Sequence, residues 1–193
     1  MMLQRPDLSL ILASKSPRRS YLLEQAGIPF TVRTAEVEEV YPMGTPVHYV
    51  APYLAQLKAN ESLHLLQSPQ EVLLTADSVV IIDGKIYGKP HDREEAIETI
   101  GRLSGNRHSV ITGCCLKSVD KEEVFSARAE VYMHPITPRE IADYVDRYQP
   151  YDKAGAYAIQ EWIGLAKISR IDGTYPTVMG LPVDMVYARL LAF

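Results

Sequence analysis

Cysteine is scarce in this sequence. Cys114 and Cys115 are the only two in 193 residues, and they are adjacent. Neighbouring cysteines rarely pair with each other, so a disulfide framework is excluded. We expect both thiols to be small buried side chains within a strand. A reducing compartment fits this composition, and we predict a cytoplasmic protein.

Long apolar runs and excess positive charge are also missing. No stretch reaches the length of a transmembrane helix, and residues 1–7 lack the cationic start and apolar core of a secretion signal. The formal net charge is −4, so no general attraction to nucleic acid or to an anionic membrane is expected. The five histidines show no ligand spacing, which argues against a zinc site. Any polyanion must therefore be bound by a local basic cluster.

Strand and helix patterns alternate along the chain, but hairpin signals interrupt the series. The Asp83-Gly84 pair between two short apolar runs is a strong hairpin signal. We therefore predict a mixed α/β or α+β fold in one domain, residues 1–193, and not a purely parallel sheet. The main predicted elements are helices at Pro17–Ala26, about Thr45–Gln67, Asp92–Leu103 and Pro182–Leu191, and strands at Pro29–Thr34, Glu71–Ala76, Arg107–Lys117, Val124–Met133 and Ala166–Ile171.

Two helix starts have a local signal. Asp92 is predicted to cap the helix that follows it, and Thr137–Glu140 form a capping box with proline at the first helical position. The capping box predicts a further helix that ends before Pro150.

The stretch Leu10–Arg19 predicts a buried strand that runs directly into a helix. Ser16 is a suitable N-cap, and proline is favoured at the next position because its missing N–H costs nothing there. Arg18 and Arg19 then fall in the first helical turn, where the helix dipole disfavours positive charge. This placement indicates an anion site, to which Ser14 could add a hydroxyl. The alternative is an ordinary solvated surface pair.

Asp77 directly follows the predicted buried strand Leu73–Ala76. Ligands gather at the carboxyl ends of strands in α/β sheets, and a carboxylate there can hold a divalent metal or take a proton from water. The alternative is an Asx-type turn. Taken alone, Glu39 is predicted to be a solvated acidic residue in a loop, and Lys58 a surface lysine on a helix. Lys89 differs, because the proline after it favours an extended backbone at this lysine.

The segment Asp152–Gln160 is rich in small residues around an acid, a lysine and an amide. Small residues allow close approach of a ligand or another chain, and Gln160 has the donor and acceptor needed to read the edge of a base. The alternative is a tightly packed turn. If the fold brings Lys153 and the basic and acidic residues above together, they form a cationic, metal-holding pocket suited to hydrolysis of a polyphosphate.

The same residues resemble the motifs of the Maf family of nucleoside triphosphate pyrophosphatases, in order and over nearly the whole chain. These motifs are Ser14–Arg19, Lys58-Ala59, Thr75–Val79, Lys89-Pro90, Ser104-Gly105 with His108, Val110, Thr112 and Gly113, Asp152–Gln160, and Gly173 to Pro182. The resemblance implies an elongated mixed sheet flanked by helices, with two lobes around a central cleft. It also implies a fold related to the inosine-triphosphatase-like house-cleaning enzymes.

The resemblance further implies metal-assisted hydrolysis of a nucleoside triphosphate between its α and β phosphates, with Mg²⁺, Mn²⁺ or Co²⁺ as the cation. By position, Asp77 would activate water, and Glu39 would join it as a metal ligand. The positions implied for substrate binding are Ser14, Arg18, Arg19, Lys58, Ser78, Lys89, Lys153 and Gln160.

The late motif Asp152–Gln160 is similar to that of the branch acting on dTTP and UTP, and modified pyrimidine triphosphates are an open alternative substrate. Ser78 departs from the threonine usual in the family, which keeps the hydroxyl but could loosen base selectivity. Family members often form homodimers, although no stretch of this sequence identifies an interface. The alternative function is a nucleotide-binding regulator of septum formation or cell division without significant turnover.

Overall fold

A computed structural model describes Arg5 and residues 7–193. Within them, the helices are α1 (Pro17–Gln25), α2 (Val47–Glu61), α3 (Arg93–Leu103), α4 (Pro138–Tyr148), α5 (Trp162–Ala166), α6 (Tyr175–Met179) and α7 (Val183–Ala192). The strands are β1 (Ser9–Leu12), β2 (Thr31–Val32), β3 (Glu71–Ile82), β4 (Lys85–Tyr87), β5 (Arg107–Lys117), β6 (Glu122–Met133) and β7 (Ile168–Asp172). Short 3₁₀ turns lie at Leu63–Leu65 and Ala154–Ala156.

The strands form one mixed sheet in the order β2-β1-β3-β5-β6-β7, with β4 paired to β3. Strand β1 runs parallel to β2 and β3, whereas β4 is antiparallel to β3 and β7 is antiparallel to β6. Only residues 118–121 join β5 to β6, a connection too short for a parallel crossover. The predicted mixed α/β class, with a mixed sheet and flanking helices, is confirmed.

The described residues form two compact units. Unit 1 comprises residues up to Asp77, Thr112–Ala127 and Gly180–Phe193, and unit 2 comprises Ser78–Ile111 and Arg128–Met179. Strands β3, β5 and β6 each contribute residues to both units, so neither unit is a continuous piece of chain. The single domain expected from the sequence stays a prediction.

In unit 1, helix α2 packs closely on the sheet because the facing side chains are small. Ala55 and Ala59 form a buried cluster with Cys115 of β5. Gly113, also on β5, lies so near the helix that a Cβ atom there would come within 2.2 Å of the Pro52 nitrogen. Burial raises the pKa of both cysteine thiols to about 12, so they are inert at neutral pH, and their predicted burial is confirmed.

In unit 2, helices α3 and α4 cover one core. Ile100 and Leu103 of α3 and Tyr144 of α4 pack with sheet residues such as Val80 and Val131, and all five are almost fully buried. Both helices begin as the sequence predicts. The Asp92 side chain accepts from the N–H of residue 95, and α4 opens on a complete capping box between its N-cap threonine and the glutamate three residues later.

Three predicted boundaries were wrong. Strand β3 continues through Asp77 to Ile82, because residues 71–76 and 79–82 of the strand are buried and the Asp77 carboxylate accepts a hydrogen bond from Lys58. Helix α2 ends at Glu61 and not near Gln67, since the chain turns into a 3₁₀ helix after Ser62. Strand β2 is limited to two residues. No helix in the described part of the chain has the length and apolar character of a bilayer span.

Candidate active site

The loop between β1 and α1 is held by Arg19. Its guanidinium donates to the Ser14 hydroxyl (3.0 Å) and to the Gly180 carbonyl (2.9 Å). Burial lowers the pKa of Arg19, an effect that the charges of Asp77 and Glu39 oppose, and the group stays protonated at neutral pH. Arg19 therefore ties the loop to the chain just before α7.

The predicted start of α1 is only partly as expected. Ser16 is the N-cap residue and is followed by proline, but its hydroxyl makes no capping bond. Instead, the Ser16 backbone N–H donates to the Ser14 hydroxyl at 3.2 Å. Arg18 lies in the first turn and is partly exposed. The first turn of α1 thus carries both arginines and no acidic side chain, as the sequence predicted.

Lys58 bridges two carboxylates. Its ammonium nitrogen lies 2.5 Å from Asp77 Oδ1 and 2.7 Å from Glu39 Oε1. The Lys58 and Asp77 side chains are mostly buried, with 15% and 11% of their surface exposed. Two residues before Asp77, the buried Thr75 hydroxyl donates to the Ala55 carbonyl of α2 at 2.6 Å. This bond fixes α2 against β3 and so places the lysine beside the aspartate.

The pair Glu39 and Asp77 fits a divalent cation of the magnesium type. Both carboxylates already converge on one positive group, the Lys58 ammonium. In the described residues, no group of three or more His, Cys, Asp or Glu side chains could enclose a metal. Mg²⁺ is commonly held by one or two carboxylates together with substrate phosphates, so the absence of a full protein cage is compatible with this chemistry.

In unit 2, the predicted segment Asp152–Gln160 is a strained, well-anchored turn. Gly155 and Ala156 both have positive φ, at 72° and 59°, a costly conformation for the alanine. The Gly155 N–H donates to the Gly88 carbonyl at 3.0 Å, which joins the turn to the backbone next to Lys89. A Cβ atom on Gly155 would lie 2.8 Å from the Val80 side chain, so there is no room for a larger residue at this position.

Two side chains of this turn are unusual in their surroundings. Lys153 is buried, and its ammonium lies 2.6 Å from Asp152 and 3.6 Å from Glu161. Gln160 has a buried amide oxygen that makes no hydrogen bond within the described residues. Such an oxygen is costly unless another donor reaches it, and the N–H of a bound nucleobase would supply one.

The structure therefore brings the predicted residues together in two groups. Within unit 1 it groups Ser14 with Arg19, and Glu39, Lys58 and Asp77 with one another. Within unit 2 it links the Lys153 and Gln160 turn to the backbone beside Lys89, an exposed residue. Ser78 follows Asp77 in β3 and is partly exposed.

Sequence reasoning missed two partners of the second group, Tyr144 and Glu161. Glu161 faces Lys153 and accepts a hydrogen bond from the Tyr144 hydroxyl. His108 Nε2 lies 2.8 Å from the Tyr157 hydroxyl, and burial lowers the pKa of this histidine to about 4. No sequence pattern indicated a role for Tyr144 near the site, because a tyrosine on an amphipathic helix is predicted to be an ordinary core residue.

Comparison with known proteins identifies the family. The model of the family described as Maf-like protein matches residues 9–193. The chain belongs to this family. The Maf resemblance seen in the sequence is thereby confirmed.

Curated Maf relatives cover nearly the whole chain. A protein of Bacteroides thetaiotaomicron named dTTP/UTP pyrophosphatase is 42% identical over 182 residues, which are 94% of each chain. A protein of the same name from Porphyromonas gingivalis strain W83 is 44% identical over 187 residues, covering 95% of this chain and 94% of its own.

Solved structures support the fold alone. The Ham1 protein of Staphylococcus aureus superimposes with a TM-score of 0.56 at 16% identity, covering 95% of this chain and 98% of its own. A HAM1 protein from Coxiella burnetii gives a TM-score of 0.51 at 14% identity, covering 96% of this chain and 100% of its own.

Proposed function

We propose that this Maf-family protein is a metal-assisted nucleoside triphosphate pyrophosphatase that acts on dTTP and UTP. The observation that carries the proposal is the bridge that Lys58 makes between Asp77, which is mostly buried, and Glu39, which is exposed. It lies in a chain whose relatives over 94% of its length bear the name dTTP/UTP pyrophosphatase. The substrate carries about four negative charges, which several basic groups and a cation must offset.

In the proposed reaction, water attacks the triphosphate and the P–O bond between the α and β phosphates breaks. Asp77 accepts the proton of the attacking water, and pyrophosphate leaves with its charge offset by basic side chains. Glu39 and Asp77 would hold the divalent cation, which supplies charge neutralisation at the phosphates. Lys58 positions both carboxylates, and Arg19 holds the Ser14 loop in place.

Base recognition is assigned to residues of unit 2. The buried, unpartnered oxygen of Gln160 suits the N3–H that uracil and thymine both carry. Lys89 and Lys153 supply positive charge for the phosphates, Arg18 belongs to substrate recognition, and Ser78 offers a hydroxyl. A single cleft for both groups, a homodimer and a cytoplasmic location remain predictions, as do the absence of nucleic-acid and membrane partners.

A triphosphate panel tests the proposed function. The purified protein is incubated with dTTP, UTP, dCTP, dATP and dGTP in the presence of Mg²⁺, Mn²⁺ or Co²⁺, and all phosphorus products are identified. We expect monophosphate and pyrophosphate from dTTP and UTP. Release of orthophosphate with a diphosphate would contradict the proposed bond cleavage, and nucleotide binding without turnover under all three cations would favour the regulatory alternative. Faster turnover of modified pyrimidine triphosphates would identify those as the substrates.

A further inference from the structure

One hydroxyl in unit 2 holds two points of the turn that carries Gln160. The Tyr144 hydroxyl accepts a hydrogen bond from the Ala158 N–H at 3.2 Å and donates one to the Glu161 carboxylate. The tyrosine is 2% exposed, and its ring stacks on Tyr148 with 4.7 Å between centroids. Because the ring is fixed by packing, the oxygen at its end is a fixed point to which the turn is attached.

The two attachment points lie on either side of Gln160. The turn is closed by a hydrogen bond from the Glu161 N–H to the Ala158 carbonyl at 3.1 Å. The Gln160 amide oxygen has no hydrogen bond within the described part of the chain. Its direction therefore depends on the backbone of the turn, and that backbone depends on the Tyr144 hydroxyl.

The same hydroxyl also acts on Lys153 through Glu161. One Glu161 oxygen accepts from Tyr144, and the other lies 3.6 Å from the Lys153 ammonium. Burial, and next the hydrogen bond to Glu161, raises the pKa of Tyr144. The hydroxyl therefore stays protonated near neutral pH and continues to donate its hydrogen bond to Glu161 there.

We infer that Tyr144 is a positioning residue for nucleobase selection, fixing the turn that presents Gln160 and, through Glu161, the ammonium of Lys153. This inference rests on the proposed function and concerns a residue that does not touch the substrate. Without the hydroxyl, the Ala158 N–H and the Glu161 carboxylate lose their common partner. Gln160 then takes several orientations, and selection between bases weakens more than the chemical step does.

The test compares Tyr144→Phe with Tyr148→Phe. Both changes remove one oxygen from stacked rings on the same helix. The Tyr144 hydroxyl is bonded to the turn at two points, whereas Tyr148 is partly exposed. For Tyr144→Phe we expect the ratio of kcat/KM for dTTP to that for dATP to fall about tenfold, the effect of losing one well-placed polar contact. We expect kcat for dTTP to stay within about twofold, and Tyr148→Phe to match the wild type. An unchanged ratio, or equal losses on both nucleotides, would overturn the inference.

A second variant separates the hydrogen bond between Tyr144 and Glu161 from the ion pair between Glu161 and Lys153. Glu161→Gln keeps an oxygen for Tyr144 to donate to and removes the charge facing Lys153. We expect KM to rise for dTTP and dATP alike, because a lysine that helps hold phosphates is displaced, while the base preference remains. Loss of base preference in this variant would show that the charge of Glu161, and not the Tyr144 hydroxyl, orients the turn.

The sole tryptophan gives a readout that needs no turnover. Trp162 follows Glu161 directly and is partly buried. If Tyr144 holds the turn, Tyr144→Phe shifts the Trp162 emission and increases its quenching by acrylamide, and Tyr148→Phe does neither. A wild-type protein that hydrolyses no triphosphate would refute the proposed function. The fluorescence comparison would still test whether the Tyr144 hydroxyl fixes the turn. An active protein whose Trp162 signal is the same in both variants would refute the inference alone.

Discussion

At the scale of single residues, the central feature is a lysine that shares its charge between two acids. The sequence identified Glu39, Lys58 and Asp77 as candidates but gave each an ordinary alternative, because none is unusual in its local pattern. Contact among them arises from residues far apart in the chain, namely a loop, a helix and a strand. Residue types were thus predictable, and the pairing became evident only from the fold.

Replacing Lys58 by glutamine removes the positive charge that lies between the Glu39 and Asp77 carboxylates. We expect unfolding stability without added metal to fall by about 1–3 kcal/mol, since a mostly buried carboxylate loses its charged partner. We also expect Mn²⁺ to raise the melting temperature more in Lys58→Gln than in the wild type, because the cation no longer competes with the ammonium. Thermal unfolding over a Mn²⁺ titration measures both effects.

The control for this prediction is Lys85→Gln, which removes an exposed lysine from β4. It should leave both the stability and the Mn²⁺ response as they are in the wild type. An identical Mn²⁺ response in Lys58→Gln and the wild type would show that the cation does not bind between Glu39 and Asp77.

His108 makes stability depend on pH. Burial lowers its pKa from 6.5 to about 4 in the folded protein, although Glu130 acts in the opposite direction. As pH falls from 6.5 to 4, the unfolded chain takes up a proton that the folded chain refuses, so stability is lost in that window. Between about pH 7.5 and about pH 5, His108 should account for a loss of about 2 kcal/mol.

Urea unfolding at these two pH values measures the His108 contribution. His108→Gln should show a smaller loss on acidification than the wild type, whereas His64→Gln, which changes an exposed histidine, should behave as the wild type does. If His108→Gln loses as much stability on acidification as the wild type, the buried imidazole is not the titrating group.

At the scale of elements, local chemistry predicted the starts of helices and the turns best. The Asp83-Gly84 hairpin is confirmed, with φ of 49° and 73° at its two central residues and Ile82 facing Lys85 across it. The Asp92 cap and the α4 capping box are confirmed as well. These signals depend on neighbours within four residues, which is why the sequence alone reveals them.

Long-range packing determined what the sequence could not predict. Nothing local indicates that β3 passes through Asp77, since an isolated aspartate normally ends a strand; here a lysine from another element offsets its charge. The positive φ of Ala156 is likewise imposed by the anchors of its turn and not by its own preference. Strand ends and strained turns near the candidate site therefore required the structure.

The contact between β5 and α2 predicts a strong effect of a single methyl group. In Gly113→Ala, the new Cβ would lie 2.2 Å from the Pro52 nitrogen and 2.4 Å from the Ala51 carbonyl carbon, both backbone atoms. Helix α2 must move, so we expect a loss of about 3 kcal/mol in urea unfolding and weaker turnover, because α2 carries Lys58.

Gly101→Ala is the matched control. Gly101 lies within α3, and a methyl group added there would meet no atom within 4 Å beyond the backbone of its own helix. Alanine favours the helix there and should raise stability by up to about 1 kcal/mol. Equal stability of Gly113→Ala and the wild type would mean that α2 does not rest on the backbone of β5.

At the scale of the whole molecule, an acidic protein with a net charge of −4 carries two arginines and no acidic side chain in the first turn of α1. That distribution suits a small anionic substrate and gives little attraction to long nucleic acids. The candidate residues belong to both units, Asp77 being the last residue of the first stretch of unit 1 and Ser78 the first of unit 2. Composition predicted the charge balance, and the pattern of strands, helices and hairpin signals predicted the class of fold. The exact bounds of the two units were not evident from the sequence.

The most direct test of the central claim is the release of pyrophosphate from dTTP by Asp77→Asn, measured beside Asp83→Asn. Both variants remove one charge from an aspartate of the β3–β4 hairpin, but Asp83 lies in its exposed turn. We predict that Asp77→Asn loses at least about 100-fold in kcat while remaining folded, as expected for removal of a general base, and that Asp83→Asn keeps wild-type turnover. Wild-type release of pyrophosphate by a folded Asp77→Asn protein would contradict the account.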